Sequence, residues 1–205
     1  FSIEHWADET GFRLDGCSFI LQGFGNVGSH TAQLLSQLGA QLTAVQDHTG
    51  SIYCPEGIYP RELINWVEET GGVVGFPGAE AVKKDEFWGL EADIVIPAAL
   101  GLQITADVAR KLKCRLVVEA ANGPTTIEGE KILAERGIDV IPDIMANAGG
   151  VVVSYFEWIQ NKRSESWLLE EVDKRLHYMV KKAFYEMRAF ARDHEVDNRT
   201  ASMAV

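Results

Sequence analysis

The stretch Cys17-Ser-Phe-Ile-Leu-Gln-Gly-Phe-Gly-Asn-Val-Gly28 decides the fold of this chain. Its first six residues are apolar and β-prone, so they predict a buried strand over residues 17–22. Three glycines follow at once, and helical spacing of apolar residues then runs from Val27 to Leu38. A second strand is predicted over residues 42–46. This order is a βαβ unit of about 30 residues, which is typical of a mononucleotide-binding half-fold.

The turn from Gly23 to Gly28 has the glycine spacing that suits a bound diphosphate. Gly23 permits the tight turn, Gly25 lets a pyrophosphate approach the backbone, and Gly28 lets the helix pack close to the strand. The first helical turn, with Asn26 and Val27, then offers N–H groups at the positive end of the helix dipole. The alternative interpretation is a purely structural glycine turn.

Asp47 follows the second strand, about 20 residues after the glycine turn. An acidic residue there can bind the hydroxyls of an adenosine ribose, and it should repel a 2′-phosphate, which favours NAD over NADP. A protonated His48 would weaken that preference, so NADP stays possible. The alternative role for Asp47 is a helix cap or turn cap.

Strands and helices continue to alternate along the chain. Further strands are predicted over residues 93–97, 115–119 and 138–141, and helices over residues 60–69, 105–112 and 125–136. Such alternation predicts an α/β fold, a doubly wound Rossmann-type sheet that is mostly parallel. Two C-terminal helices are predicted over residues 148–161 and 166–194. An apolar stripe on the second is interpreted as core packing and comprises Leu169, Val172, Leu176, Val180, Ala183, Met187 and Phe190.

Three segments organise the chain in this interpretation. Residues 1–16 form a leading helix and loop, residues 17–147 the dinucleotide-binding domain, and residues 148–205 C-terminal helices that pack on it and towards the cleft. Because Phe1 begins the chain in what resembles the middle of a helix, the sequence is interpreted as a fragment.

Composition excludes several classes of partner. The formal net charge of −11 argues against nucleic acid and anionic membranes, which require clustered Lys and Arg. No apolar run approaches the roughly 20 residues that span a membrane. The three separated cysteines show no metal or disulfide spacing and suit buried thiols in a reducing cytoplasm.

The carboxyl ends of the later strands are where a nicotinamide ring is expected. Ala98 and Ala99 are small enough to leave room for a flat ring. Asn122 and Asn147 can bind a carboxamide or a ribose, although each is also a common turn residue.

Several motifs together resemble the C-terminal domain of the glutamate/leucine/phenylalanine/valine dehydrogenase family, over nearly the whole chain. They are Gln22–Gly28, Val74-Gly-Phe-Pro-Gly-Ala-Glu80, Ile96-Pro-Ala-Ala99, Ala121-Asn-Gly-Pro-Thr-Thr126, Pro142-Asp-Ile-Met-Ala-Asn-Ala-Gly-Gly-Val151 and Ser154-Tyr-Phe-Glu-Trp158. Within the family, the fourth and sixth motifs resemble glutamate dehydrogenases.

The resemblance implies oxidative deamination of L-glutamate to 2-oxoglutarate and ammonia, with hydride transfer to NAD(P). It implies that Ser154 donates its hydroxyl to the substrate's side-chain carboxylate, whereas a back-bonding helix serine is the alternative. It also implies that the catalytic lysines and aspartate lie in an N-terminal domain outside this chain. We therefore expect no catalytic residue here, no turnover by the chain alone, and a hexamer built mainly through the other domain.

Two residues depart from the family pattern. Leu102 stands where a polar residue beside the cofactor is common, and Ala120 stands where glycine is usual. They motivate an alternative, a non-catalytic regulatory paralogue that binds ligands or an active sister subunit. A dehydrogenase for another amino acid is the third hypothesis.

Overall fold

The computed structural model describes residues 1–205, which form seven strands and ten helices. The strands are β1 (Ser18–Gln22), β2 (Gln41–Gln46), β3 (Ser51–Tyr53), β4 (Glu80–Val82), β5 (Ile94–Pro97), β6 (Leu116–Val118) and β7 (Asp139–Ile141). The helices are α1 (Ser2–Thr10), α2 (Asn26–Gln37), α3 (Pro60–Thr70), α4 (Lys84–Phe87), α5 (Ala106–Lys111), α6 (Ile127–Glu135), α7 (Asp143–Ala146), α8 (Ala148–Arg163), α9 (Leu169–His194) and α10 (Asn198–Ala204).

One seven-stranded sheet organises the first part of the fold, with the order β4-β3-β2-β1-β5-β6-β7. β1 pairs in parallel with β2 and with β5, and β5 pairs in parallel with β6. The predicted Rossmann-type sheet is therefore confirmed. β3 and β4 pair antiparallel and were not predicted from the sequence.

Helix ends in this unit follow local chemistry that the sequence shows. The Thr105 and Thr126 side chains accept hydrogen bonds from Val108 N and Gly129 N, so a threonine caps the start of both α5 and α6. α3 ends at Gly71, which adopts the left-handed conformation at φ 83°. These residues give hydrogen-bond partners to backbone groups at the helix ends that would otherwise lack them.

The core of the sheet unit lies between the strands and the helices that cross over them. It contains residues from every parallel strand, which accounts for the continuous apolar runs of the sequence. Its buried members are Ile20, Ala44, Phe87, Trp88, Ala92, Val95, Ile104, Ala109, Leu112, Val117, Leu133 and Ile138.

Two compact units divide the chain: Arg13–Val140, and Phe1–Phe12 together with Ile141–Val205. The leading helix thus belongs with the C-terminal helices, a long-range grouping that no local pattern encodes. Within that helical unit, α1 packs on α9, and the His5 and His177 rings stack with centroids 5.1 Å apart. Arg188 on α9 also pairs with Glu9 on α1 at 2.6 Å.

The predicted apolar stripe of α9 is only partly correct. Val180 and Met187 are buried, together with Phe184 and Ala191, which the stripe omitted. Leu169, its first member, is 74% exposed. Full burial therefore begins near the middle of the helix, at Val180.

No helix of the protein is both long enough and apolar enough to cross a bilayer. The three cysteines are free thiols. Burial raises the pKa of Cys17 to about 11 and that of Cys114 to about 12, so both stay protonated at neutral pH.

Candidate functional site

A cleft of about 630 Å³ opens at the carboxyl ends of β1 and β5. From β1 the chain adds β2, β3 and β4 on one side of the sheet, and it then crosses back to add β5, β6 and β7 on the other side of β1. The order of the strands therefore reverses between β1 and β5. Ligands of open α/β sheets bind at such a switch point. The cleft is lined by Gln22, Gly23, Phe24, Gly25, Gln46, Asp47, His48, Val67, Gly71, Lys84, Ala98, Ala99, Leu100 and Gln103.

Gly23 and Gly28 let the chain turn where a side chain would not fit. Gly23 has φ +97°, and a Cβ on it would lie 2.8 Å from the Ala98 backbone. A Cβ on Gly28 would lie 2.0 Å from the Gly23 carbonyl oxygen. These two glycines therefore bring α2 and β5 close to β1, as the sequence predicts.

Gly25 differs, because a Cβ on it would meet nothing within 4 Å. It is the N-cap residue of α2 and lines the cleft. No side chain caps this helix, and no acidic residue lies in its first turn. The open space at Gly25 and the uncapped helix end together make a pocket for an anion. Asn26 and Val27 follow in the first turn of α2 and are exposed, although their side chains do not line the cleft.

Asp47 lines the cleft, and its carboxylate also organises the backbone around it. One oxygen accepts hydrogen bonds from Thr49 N at 2.8 Å and Thr49 Oγ1 at 2.5 Å. The other accepts from Val73 N at 3.0 Å, and the side chain is only 8% exposed. The turn-capping role is thus present in the structure, and any contact with a ribose would be additional to it.

Two basic side chains lie at the same end of the cleft as Asp47. His48 lies 3.8 Å from the Asp47 carboxylate and is 78% exposed. Lys84, the first residue of α4, also lines the cleft and was not among the predicted site residues. The first residue of a four-residue helix carries no sequence signal for a binding role.

Ala98 and Ala99 line the opposite end of the cleft, at the start of the loop between β5 and α5. Hydrogen bonds hold this loop to the loop that follows β6: Leu102 N donates to Gly123 O, and Ile104 N donates to Pro124 O, each at 2.8 Å. Leu102 adopts φ 57°, a conformation that costs a leucine about 1–2 kcal/mol, and its side chain is 68% exposed. Leu102, which departs from the family pattern, therefore also places local strain on the backbone.

Sequence reasoning missed a pair of glutamines in the cleft. Gln22, the last residue of β1, donates from Nε2 to Oε1 of Gln103 at 2.8 Å. The Gln22 side chain is buried, and its Oε1 has no hydrogen-bond partner. The signal in the sequence was the polar Gln22 directly after the apolar residues Phe19–Leu21 of β1.

The remaining predicted residues do not line the cleft. Asn122 is exposed in the loop after β6. Asn147 is the N-cap residue of α8, and its backbone N–H donates to Asp143 O at 2.9 Å. Ser154 on α8 donates its hydroxyl to Gly150 O at 2.9 Å, which is the back-bonding alternative for this residue. Ala120, the second departure, is half-buried, with its N–H bonded to Val118 O at 3.0 Å.

Comparison with known sequences agrees with this geometry. The sequence profile described as "Glutamate/Leucine/Phenylalanine/Valine dehydrogenase" matches residues 1–205. The chain belongs to the glutamate/leucine/phenylalanine/valine dehydrogenase family. It is 49% identical over 196 residues to the glutamate dehydrogenase of Thermotoga maritima, which covers 95% of this chain and 47% of that protein. It is also 39% identical over 203 residues to the cryptic catabolic NAD-specific glutamate dehydrogenase of Bacillus subtilis. That match covers 99% of this chain and 47% of that protein.

Solved structures of the glutamate/leucine/phenylalanine/valine dehydrogenase family share the fold. The hetero-hexameric glutamate dehydrogenase of Thermus thermophilus, in a leucine-bound form, superposes with a TM-score of 0.93 at 31% identity, covering 99% of this chain and 48% of that chain. The enzyme of Peptoniphilus asaccharolyticus superposes with a TM-score of 0.81 at 33% identity, covering 98% and 47%. The chain thus spans about half the length of the relatives it matches.

Proposed function

We propose that this chain is the coenzyme-binding part of a glutamate dehydrogenase, which deaminates L-glutamate oxidatively to 2-oxoglutarate and ammonia. The observation that carries the proposal is the open space at Gly25 beside the uncapped start of α2, within a cleft at the β1/β5 switch point. The cleft volume of about 630 Å³ lies within the range of small-molecule and cofactor sites. When bound, a nicotinamide dinucleotide supplies the acceptor for the hydride that leaves the amino-acid α-carbon.

In this proposal the residues of this chain bind and orient the coenzyme, and none of them takes part in the chemical step. Backbone N–H groups at Gly25, Asn26 and Val27 hold the diphosphate, since the helix end presents donors and positive potential there. Asp47 holds the turn at the adenosine end and accepts from a ribose hydroxyl with a remaining lone pair. Ala98 and Ala99 leave room for the nicotinamide end.

Roles for the polar residues outside the cleft rest on the family resemblance. We propose that Asn122 and Asn147 bind the nicotinamide carboxamide or its ribose. Ser154 would bind the side-chain carboxylate of glutamate, and its hydroxyl must then exchange its present bond to Gly150 O for one to the substrate. A hexamer is proposed for the complete protein, as the Thermus thermophilus relative is hetero-hexameric.

NAD is the proposed coenzyme in preference to NADP. The Asp47 carboxylate lies where a 2′-phosphate would add negative charge, although His48 and Lys84 at that end reduce the repulsion. One relative is described as NAD-specific. We therefore expect NAD to bind more tightly than NADP.

Calorimetric titration of the 205-residue protein with NAD and with NADP tests the coenzyme site. We expect NAD to bind with a dissociation constant below about 1 mM, which corresponds to a binding free energy of about −4 kcal/mol or better, and NADP to bind more weakly. Absence of binding by both coenzymes at millimolar concentration would falsify the proposed function. Tighter binding of NADP would overturn only the assignment of the coenzyme.

A chimera tests the substrate. In it, this chain replaces the matching part of the Thermotoga maritima glutamate dehydrogenase, to which it is 49% identical. Reduction of NAD that depends on glutamate, and is faster than with leucine, phenylalanine or valine, is the expected result. Equal rates with leucine would remove the glutamate assignment and the role of Ser154.

A regulatory subunit is the second candidate function. Leu102 favours it, since an exposed apolar side chain in a strained conformation stands in the loop that forms one end of the cleft. The chimera also separates the two functions. A hexamer that binds NAD but stays inactive with glutamate, and regains activity with Leu102→Asn, would support a regulatory origin of this chain.

A further inference from the structure

Gln22 lines the cleft and carries a buried hydrogen-bond acceptor that no group of the protein satisfies. Gln22 is 5% exposed, and its side-chain oxygen Oε1 is buried without a partner. Buried polar groups are paired in more than about nine cases in ten, because an unpaired acceptor in a protein interior costs about 1–3 kcal/mol. An unpaired acceptor that lines a ligand cleft therefore points to a donor on the ligand.

The neighbouring hydrogen bonds determine which end of the Gln22 amide is unpaired. Gln103 Nε2 donates to the backbone carbonyl of Gly101 at 3.0 Å, and a carbonyl can only accept. The other end of the Gln103 amide is then its oxygen, which must face a donor. Gln22 supplies that donor from Nε2 at 2.8 Å, so its oxygen is the group left over. Rotating either amide by 180° would bring two like groups together, and this assignment is therefore fixed by the network.

The position of the glutamine pair selects among the groups of the coenzyme. Gln22 ends β1 opposite Pro97 of β5, at the switch point of the sheet. Gln103 lines the cleft with Ala98 and Ala99, whereas Asp47 and His48 line the adenosine end. Phosphate oxygens accept hydrogen bonds and cannot satisfy another acceptor. Beyond the diphosphate, the coenzyme offers two kinds of donor, the hydroxyls of the second ribose and the carboxamide of the nicotinamide. The ribose is the nearer of the two to the diphosphate, and so to the glycine turn that follows Gln22.

We infer that Gln22 is a coenzyme-binding residue whose Oε1 accepts a hydrogen bond from a hydroxyl of the ribose on the nicotinamide side. Gln103 is a positioning residue in this assignment, since its amide holds the Gln22 amide in the one orientation that presents the oxygen. The loop between β5 and α5 carries Gln103, so ligand binding at β1 is linked to the conformation of that loop. The inference rests on the proposed function, because it requires a dinucleotide in the cleft.

Three ligands and two variants test the inference. ADP carries the adenosine and the diphosphate only, ADP-ribose adds the second ribose, and NAD adds the nicotinamide. Gln22→Met keeps the length of the side chain and removes both polar atoms. We expect it to weaken NAD and ADP-ribose binding by about 3- to 10-fold, as for the loss of one hydrogen bond, and to leave ADP binding unchanged.

Thermal unfolding without ligand separates this role from a structural one. Gln22→Met removes a buried unsatisfied acceptor together with one bond, so the Tm of the ligand-free protein should change by less than about 2 °C. Gln160→Met on α8 is the matched control. Its oxygen accepts from Trp167 N at 2.6 Å, so its loss should lower the Tm and leave the affinity for NAD unchanged.

The outcomes keep the inference distinct from the proposed function. If the wild-type protein binds none of the three ligands, the proposed function fails and the inference fails with it. If the wild-type protein binds NAD and Gln22→Met binds it equally well, only the inference is overturned. An equal loss of affinity for ADP and for NAD would also overturn it. The Gln22 oxygen would then accept from a group that both ligands bring with the diphosphate, such as a bridging water molecule.

Discussion

The backbone of Gly28 approaches the carbonyl oxygen of Gly23 so closely that a Cβ on Gly28 would lie 2.0 Å from that oxygen. A Cβ on Gly25, three residues earlier, would meet nothing within 4 Å. The glycines of one loop therefore serve different purposes. Gly28 is required by the fold, whereas the space at Gly25 is useful only when a ligand occupies it.

Substitution of these two glycines should separate folding from binding. Gly28→Ala is expected to lower the free energy of unfolding by about 3 kcal/mol, because the contact is with a backbone atom that cannot move aside. Gly25→Ala should change it by less than about 1 kcal/mol and weaken NAD binding by roughly tenfold, since the methyl group occupies the diphosphate position. Urea unfolding and calorimetry measure the two effects. Normal NAD affinity in folded Gly25→Ala would contradict the placement of the diphosphate.

Asp47 should matter for stability even without coenzyme. Its carboxylate accepts bonds from Thr49 and Val73, so Asp47→Ala leaves several donors unpaired and should lower the free energy of unfolding by about 2 kcal/mol. Asp107→Ala, at a carboxylate 86% exposed, should cost less than about 0.5 kcal/mol. Chemical denaturation of the ligand-free protein compares them. Equal stability of the two variants would mean that the turn does not depend on Asp47.

The contact between α1 and α9 should weaken in acid. Burial lowers the pKa of His5, and His177, the N-terminal amino group and Lys181 lower it further, against an opposing effect of Glu4; the Tyr185 ring also faces this cluster. The unfolded chain takes up the proton near pH 6.5, and the folded chain only at lower pH. The unfolded state therefore binds more protons between the two pKa values, and stability falls as the pH drops through this window.

Thermal unfolding at pH 7.5 and pH 5.5 measures that effect. We expect a lower Tm at pH 5.5, and a smaller difference between the two values for His5→Leu. His48→Leu, at a side chain 78% exposed, is the control and should keep the wild-type difference. A His5→Leu protein with the full wild-type difference would show that another group causes the acid sensitivity.

The ion pair between Arg199 and Asp143 joins α10 to α7 in the helical unit. Their side chains lie 3.0 Å apart and are 19% and 23% exposed. We expect Arg199→Met to lower the free energy of unfolding by about 1–2 kcal/mol, since solvent only partly screens the pair. Arg175→Met, which breaks an exposed pair with Glu171 within α9, should cost about 0.5 kcal/mol.

A double-mutant cycle with Asp143→Asn completes this test. If the pair is the cause, the loss from Arg199→Met should become smaller when Asp143 is already neutral. Additive losses would show that the two residues act on stability independently, and would remove the ion pair as the explanation.

Local chemistry accounts for most of the elements that were predicted correctly. The strand predicted over residues 17–22, which the structure has at Ser18–Gln22, and the glycine turn each depend on neighbours a few residues away. The threonine caps at Thr105 and Thr126 are equally local. The antiparallel strands β3 and β4 were missed, although the equally short strands β6 and β7 were predicted. The exposed start of α9 was predicted to be core, because an apolar stripe does not reveal whether another element covers it.

The sequence by itself determined the α/β class, the parallel strands and the place of the glycine turn, because glycine spacing and apolar periodicity act over short distances along the chain. Only the tertiary structure decided that the first helix joins the last ones, that the Asp47 carboxylate binds Val73, and that Gln22 and Gln103 meet. The two glutamines lie 81 positions apart, and their contact exists only because β5 returns to the side of β1. A buried acceptor without a partner is a property of that packing, and no local pattern of residues encodes it.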